Sequence, residues 1–382
     1  MVLDRFVRAW LEASKSKGME LGLDRVQAAL EQLGRPDKSM SCIHVAGSNG
    51  KGSACAMLVA GLTQAGYRVG LFSSPHLTRI EERVRIQGRP ISREQFNLAL
   101  EQIKSLEIEL TFFEITYLVS LISCKKQAVQ IMILETGLGG RLDATRTAEV
   151  VGCLVTSVSM EHADILGDTL EKIAAEKAAI WRPGVPMLIR DPMIPSVRNA
   201  MREEAISARF VDVEPAGVMD EAGDLAEILC KMLGLEFERR PANWPGRMQL
   251  IPTEIPILLD GAHNQTGMAR VMPEIEKILP QKWSLLFGTS PQEDMVQFLG
   301  PLFEVMLKNP PQEIITTEPQ KGRYPGEKQP IADVLHIEQP KDALAQIDKN
   351  TDLILIIGSL YLCGNILETL GLDDDDSLNI LS

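Results

Sequence analysis

The sequence contains no pair of cysteines in a C-x-x-C arrangement. Its six cysteines, Cys42, Cys55, Cys124, Cys153, Cys230 and Cys363, are scattered among mostly apolar neighbours. That spacing argues against a disulfide framework and against zinc ligation, and leaves buried thiols in a reducing compartment as the expectation. No apolar run approaches the roughly 18 residues needed to span a bilayer. Asp4, Arg5 and Arg8 interrupt what would be the apolar core of a signal peptide within Met1–Leu11. A cytoplasmic protein with no membrane partner is expected. Basic residues are also in deficit, 39 against 52 acidic ones, for a net charge of −13 to which the tract Asp373–Asp376 adds only four. Nucleic-acid binding rests on Lys and Arg neutralising phosphates, so no nucleic-acid partner is expected. Small anions can still be held by backbone N–H groups and a few cations acting at short range.

With 382 residues, 45% hydrophobic and 24% charged, the chain has material for about two domains of ordinary size. Short apolar runs alternate with helical patterns from Cys42 onward, the pattern of an α/β architecture with a mostly parallel sheet. Strands are expected at Cys42–Ala46, Val69–Phe72, Val129–Leu134, Val151–Thr156 and Val185–Ile189. Met57, Leu58, Leu62 and Ala65 recur at helical spacing, with Gly66 placed to stop the helix. A second helix is expected from an N-cap at Asp168 to the Pro183-Gly184 stop. After the cluster Trp244–Arg247 a new series begins, with strands at Ile255–Leu259, Trp283–Phe287, Glu313–Thr316 and Leu353–Ile357. It indicates a second α/β domain, with domains at 1–243 and 244–382. The Asp tract is read as a solvated end.

The strongest local signal is Val45–Ser53, a Gly-rich stretch that follows a strand and opens a helix. Glycines let backbone N–H groups turn around phosphate, the helix N-terminus adds its dipole, Lys51 adds a point charge, and Ser53 can reach phosphate or Mg²⁺. The strict P-loop pattern fails, because Gly52 stands where Ser or Thr should follow the lysine; the plain alternative is a glycine turn with a solvated lysine. Glu135 ends the run Val129–Leu134, where a carboxylate points into the crevice that open α/β sheets use for ligands. Glu161-His162 follows the next strand in the same way, so the two segments could share one Mg²⁺ ion; loop polar residues and a hydrogen-bonded histidine are the alternative. Lys177 lies on an Ala-rich inward stripe, where it either snorkels to solvent or, near a metal, reacts with CO₂ to give an anionic carbamate ligand. Asp260–Asn264 closes a strand of the second series, either as a ligand site or as a turn capped by Asp260 or Asn264.

Taken in order, these segments resemble the folylpolyglutamate synthase and dihydrofolate synthase family of the Mur ligase superfamily. The resemblance rests on HVAGSNGKGS (His44–Ser53), SSPHL (Ser73–Leu77), ERVRIQGRPIS (Glu82–Ser92), FFEITYL (Phe112–Leu118), LETGLGGRLDAT (Leu134–Thr145), EHADILGDTLEKIAAEKAAI (Glu161–Ile180), PGR (Pro245–Arg247), LDGAHN (Leu259–Asn264) and GSLYL (Gly358–Leu362). It implies a P-loop-type, mostly parallel-sheet domain that binds ATP and pterin, followed by a smaller Rossmann-like ligase domain. The implied activity is ATP-dependent addition of L-glutamate to dihydropteroate and to folates through an acyl phosphate. By this resemblance Asn49, Gly50, Lys51, Gly52 and Ser53 hold ATP phosphates, and Arg247, Asp260, His263 and Asn264 complete the nucleotide contacts. Ser73, Glu135 and His162 bind Mg²⁺, and a carbamylated Lys177 orients a second cation, divalent or monovalent, or the phosphate. Leu21, Gly22, Thr111, Phe112, Phe113, Glu114, Arg141, Leu142 and Asp143 fall where the family binds the pterin, and the catalytic set is Lys51, Glu135, His162 and Lys177. A monomer is expected.

Several positions depart from the family pattern. Glu161 keeps only the charge of the residue before the histidine. Ala222 stands where relatives carry an adenine-binding asparagine. The stretch 191–243 is short, with no helix expected before Pro245–Arg247, and Pro291–Asp294 replaces an Asp-Lys-Asp. Two other readings follow from these departures: a related ligase for another carboxylate or amino acid, and a folate-binding homologue that has lost ATP use.

Overall fold

The computed structural model describes residues 2–18, 20, 22–213, 217–322 and 324–381; Leu21 lies outside them. The chain divides into two compact units. One comprises Met1–His76, Ile80–Ala242 and Asn379–Ser382, the other Leu77–Arg79 and Asn243–Leu378. Besides the passage after Ala242, the chain crosses from unit to unit at 76/77, 79/80 and 378/379, so each unit includes a short segment distant in sequence from the rest of it.

The first unit is built on an eight-stranded sheet of β1 (Ser41–Ala46), β2 (Val69–Phe72), β3 (Val84–Ile86), β4 (Arg89–Pro90), β5 (Ile131–Glu135), β6 (Val150–Val155), β7 (Met187–Arg190) and β8 (Arg209–Val211). Their order is β4-β3-β2-β5-β1-β6-β7-β8. The six strands from β2 to β8 are parallel, and β3 and β4 pair antiparallel on one edge. Parallel strands need crossover helices on both faces and are therefore apolar on both sides. Accordingly, β1, β2 and β5 are almost wholly buried. The helices are α1 (Val2–Ser14), α2 (Asp24–Gln32), α3 (Lys51–Gln64), α4 (Arg93–Lys104), α5 (Phe112–Lys126), α6 (Ala163–Leu166), α7 (Leu170–Ala178), α8 (Pro195–Glu204) and α9 (Val218–Leu233). Cys42 packs with α5 residues such as Tyr117 and Leu121, and Ala46 packs with Ala174 and Ala178 of α7. α3 and α9 pack together; a Cβ on Gly152 of β6 would lie 2.7 Å from Leu233 of α9. α3 is buried on every side from Ser53 to Leu62.

The second unit carries a six-stranded sheet of β9 (Gln249–Ile251), β10 (Ile257–Asp260), β11 (Trp283–Phe287), β12 (Glu313–Thr316), β13 (Leu335–His336) and β14 (Leu353–Ile357), in the order β13-β12-β11-β14-β10-β9. Only β9 runs antiparallel. Its helices are α10 (Gln265–Ile278), α11 (Met295–Lys308), α12 (Pro340–Gln346) and α13 (Leu360–Leu370). Leu77 packs against the core formed by Leu259, Leu362 and Cys363. The close approach is made by Gly364 of α13, where a Cβ would stand 2.1 Å from the Leu77 carbonyl oxygen.

Both sheets are mixed α/β and mostly parallel, as expected from the alternation of patterns. One local expectation changes. The helix read from Asp168 is capped by Thr169, whose Oγ1 accepts from the Lys172 amide at 3.3 Å, and Asp168 instead accepts from the Lys172 ammonium at 2.8 Å. All six cysteines are buried and none forms a disulfide. Among the described residues no helix is long and apolar enough to cross a membrane.

Candidate active site

The Gly-rich stretch forms a tight loop between β1 and α3. Gly47 adopts φ 144°, and a Cβ there would fall 2.1 Å from Thr156 Oγ1; Gly50 caps α3 in the left-handed region at φ 86°. Both positions therefore require glycine. The segment after β6 clamps the loop. The Ser48 amide donates to the Ser157 carbonyl (2.8 Å), the Asn49 amide to Ser157 Oγ (2.9 Å), and Thr156 Oγ1 and Ser157 Oγ both donate to the Asn49 carbonyl (2.7 and 2.9 Å). Ser159 N donates to Ser48 Oγ at 2.9 Å. Lys51 folds back so that Nζ donates to the carbonyls of Gly47 (2.7 Å) and Ser48 (3.2 Å). Lys51, Gly52 and the buried Ser53 form the first turn of α3, where amide groups and the dipole favour an anion.

Glu135 ends β5, and Ser73 follows β2 on the adjacent strand, where Phe72 pairs with Leu134. Both are buried, and Glu135 Oε2 accepts from the Ser74 amide at 3.0 Å. Ser73 and Glu135 are therefore brought side by side at the carboxyl ends of two parallel strands. His162 is placed differently. It follows β6, and β1 with its loop lies between β5 and β6, so the two segments do not leave neighbouring strands as the sequence order suggests. His162 caps the short helix α6 in a left-handed conformation (φ 47°), with its side chain exposed. Among the described residues no group of three or more His, Cys, Asp or Glu side chains is arranged to hold a metal alone.

Lys177 does not snorkel. It is 1% exposed, and its Nζ donates to Glu161 Oε1 at 2.5 Å. Burial pushes the ammonium pKa down, the Glu161 carboxylate pulls it up, and Lys51 adds to the lowering. Burial would raise the Glu161 carboxyl, but Lys177 and Lys51 hold it below its ordinary value. The phosphate-type loop and the α7 lysine thus act on one carboxylate.

The residues expected around a pterin are distributed over the segment before α2, the head of α5 and the loop after β5. Thr111 and Glu114 form a capping box at the head of α5, with Glu114 also bonded to Arg25 at 3.0 Å. Phe113 packs on Phe72 with ring centroids 5.4 Å apart. The Phe112 ring carries the cations of Lys15 and Arg83, each 5.0 Å from its centroid. Gly22 adopts φ 132°. Arg141 and Leu142 are exposed, and Arg141 pairs with Glu176 and Glu204 at 2.7 Å each. Asp143 is buried, accepting from the Gly137 and Leu138 amides at 2.9 and 3.0 Å.

In the second unit Asp260 is 1% exposed and braces the turn after Trp244-Pro245, accepting from the Met248 and Ala262 amides at 2.9 and 2.8 Å. Burial raises its carboxyl pKa against the opposing charge of Arg247 and those two amides. Asn264 is the cap: its Oδ1 accepts from the Gly267 amide at 2.7 Å. The exposed His263 has Nδ1 2.8 Å from the Gly261 carbonyl.

No protein-family model matches the chain. It is 28% identical to the dihydrofolate synthase/folylpolyglutamate synthase of Bacillus subtilis over 94% of this chain and 97% of that one. With the Escherichia coli enzyme of the same name it shares 32% identity over 71% of this chain and 74% of that one. The chain belongs to the dihydrofolate synthase/folylpolyglutamate synthase family. Among solved structures, a bifunctional folylpolyglutamate synthase/dihydrofolate synthase with Mn, AMPPNP and L-glutamate bound superposes with a TM-score of 0.84 at 28% identity, over 96% of this chain and 98% of that one. Escherichia coli FolC in complex with DHPP and ADP superposes equally well, at 27% identity over 96% and 97%.

For this member of the dihydrofolate synthase/folylpolyglutamate synthase family, two groups escaped sequence reasoning. The clamp Thr156, Ser157 and Ser159 was signalled by hydroxyls crowding a strand terminus, a place where α/β sheets hold ligands. His44, Thr136 and Thr145, which meet inside the fold, carry no comparable local signal.

Proposed function

We propose that the protein is an ATP-dependent carbon–nitrogen ligase that joins L-glutamate to dihydropteroate and then extends the glutamate tail of folates. The observation that carries this reading is the glycine loop and Lys51 at the head of α3, beside Ser73 and Glu135 on adjacent strand ends. A carboxylate oxygen of the pterin substrate attacks the γ-phosphorus of ATP and ADP leaves. The glutamate amine then attacks the acyl carbon, inorganic phosphate departs and the nitrogen loses a proton. Such chemistry depends on positioning and charge neutralisation more than on covalent help from the protein.

Asn49 to Ser53 hold the phosphates, with Lys51 released from the loop carbonyls to meet them. Ser73, Glu135 and His162 would hold Mg²⁺; the Ser73 hydroxyl and Glu135 carboxylate are hard oxygen donors that fit an ion taking its other ligands from phosphate and water, and the His162 imidazole would add a softer nitrogen ligand. When bound, the ion neutralises phosphate charge. Lys177 is the candidate for carbamylation, in which its neutral amine bonds to CO₂ and sheds a proton. Burial favours the neutral amine, and Glu161 must yield its place. Arg247, Asp260, His263 and Asn264 are the proposed nucleotide contacts of the second unit, Asp260 by bracing the turn that bears Arg247. Gly22, Thr111–Glu114 and Arg141–Asp143 are the proposed pterin contacts. We take the protein to act as a cytoplasmic monomer without a membrane partner, and its balance of 39 basic to 52 acidic residues speaks against a nucleic-acid partner.

The test supplies ATP, Mg²⁺ and L-glutamate with dihydropteroate or tetrahydrofolate. ADP and a product one glutamate heavier, in equal amounts, are expected with both acceptors. No ADP with either acceptor contradicts the reading; pterin binding without ADP would mark a binding homologue, and turnover only with another carboxylate a related ligase.

A further inference from the structure

His44 lies in the middle of β1, wholly buried, between strands that offer it only Leu134 and Cys153 as register partners. An aliphatic residue would suit such a position in a parallel sheet, since a buried imidazole must find partners for both ring nitrogens. His44 finds them on a segment expected to meet substrate. Its Nε2 is 2.7 Å from Thr145 Oγ1 and 3.0 Å from Thr136 Oγ1. Those two threonines are the feet of the loop that follows Glu135 and carries Arg141, Leu142 and Asp143. On the other side of the ring, Arg182 Nη1 lies 3.5 Å from Nδ1.

The chemistry of the partners orders the protons. A guanidinium only donates, so Nδ1 accepts and the ring hydrogen sits on Nε2. Nε2–H then donates to Thr145 Oγ1, with Thr136 Oγ1 sharing the same hydrogen. Thr145 Oγ1 in turn donates to Asp143 Oδ1, which also accepts from the Thr145 amide at 3.0 Å. Asp143 Oδ2 closes the loop on itself through the amides of Gly137 and Leu138. A cation at Arg182 and a carboxylate at Asp143 thus terminate one directional chain, and every link within it is buried or half-buried. Arg182 is itself held by the carbonyls of Ile180, Arg146 and Ala148.

We propose that His44, as the neutral Nε2–H tautomer, is a positioning residue that clasps both feet of the 136–145 loop and thereby sets the pterin-facing residues Arg141 and Leu142. The functional part rests on the reading of Arg141–Asp143 as pterin contacts. The clasp itself does not. Gln places an amide donor where Nε2 stands, Asn is too short to reach Thr145, and Leu removes both nitrogens, so the three replacements separate donor geometry from bulk.

The experiment has two arms. In the protein alone, ring ¹⁵N–¹H correlation spectra are expected to show His44 protonated on Nε2 and bare on Nδ1, unchanged between about pH 8 and about pH 5. The groups facing the ring are Arg182, Arg146 and, through Thr145, Asp143. A ring protonated on Nδ1, or on both nitrogens, overturns the clasp. In steady-state assays, His44→Leu and His44→Asn are expected to raise KM for dihydropteroate by about tenfold or more, with KM for ATP unchanged, and His44→Gln is expected to recover most of the loss. Equal loss in all three variants, a wild-type KM in His44→Asn, or parallel changes in both KM values overturns the positioning role. If the wild-type protein fails to use dihydropteroate at all, the functional reading falls, and the spectra still decide the clasp.

Discussion

Lys51 illustrates how a single side chain can be stored ready for its task. Its ammonium is satisfied by two carbonyls of its own loop, so the charge is held where an anion would arrive at a cost of two ordinary hydrogen bonds. Lys51→Ala is expected to lower kcat/KM by on the order of 10³, while stability changes by no more than about 1 kcal/mol; denaturant melts beside turnover assays check both. The fully buried His44 and the half-buried His76 make a second prediction. Burial holds His44 well below its ordinary pKa, and holds His76, which accepts from Arg83 Nε at 3.0 Å, down to about 3. As pH falls below 6.5 the unfolded chain binds protons that the folded one refuses, so stability is present above that value and is lost as pH drops. Each histidine contributes a slope of about 1.4 kcal/mol per pH unit. Urea titrations between about pH 6.5 and about pH 4.5 should show His44→Gln with a slope shallower by one proton, and an unchanged slope would contradict the assignment. Lys177 shows why some of this was illegible. Its position on the inward stripe of α7 was visible, but its partner Glu161 lies 16 residues away and beyond a cap, outside any helical or strand period.

At the scale of elements, the central strands were the most legible. Val69–Phe72, Trp283–Phe287, Glu313–Thr316 and Leu353–Ile357 run as expected, because strands covered on both faces stand out as apolar runs. The short strands β3, β4, β8, β9 and β13 span two or three residues each, too few to set up any pattern. Helix α9 shows the limit of reading an element by its likeness to others. Ala222, in the place of a family asparagine, is 4% exposed in a helix packed on α3, β6 and β7. Such a position offers a ligand nothing. Ala222→Asn is expected to destabilise the protein by roughly 1–3 kcal/mol through burial of an unsatisfied amide, without tightening ATP binding. A denaturation midpoint together with a nucleotide titration checks it, and a gain in ATP affinity would contradict the placement.

For the molecule as a whole, the short stretch before Pro245 has a structural counterpart. Residues 235–248 carry no helix, and Phe237 takes up the space over α3, where a Cβ on Gly61 would fall 2.1 Å from its ring. The phosphate loop, Ser73 and Glu135 all lie at the carboxyl ends of one parallel sheet, remote from this trimmed segment in the sequence. Their motifs were legible because strand, glycine turn and helix follow one another locally. The exchanged segments 77–79 and 379–382 were not, since membership of a unit is decided by tertiary packing such as that of Leu77 on α13. The central claim is ligation through an acyl phosphate, and it is open to one direct measurement. Dihydropteroate labelled with ¹⁸O in its carboxylate, incubated with the protein, ATP, Mg²⁺ and L-glutamate, should deliver one labelled oxygen to inorganic phosphate for each amide formed. Amide formation with unlabelled phosphate, or no amide at all, would contradict the account.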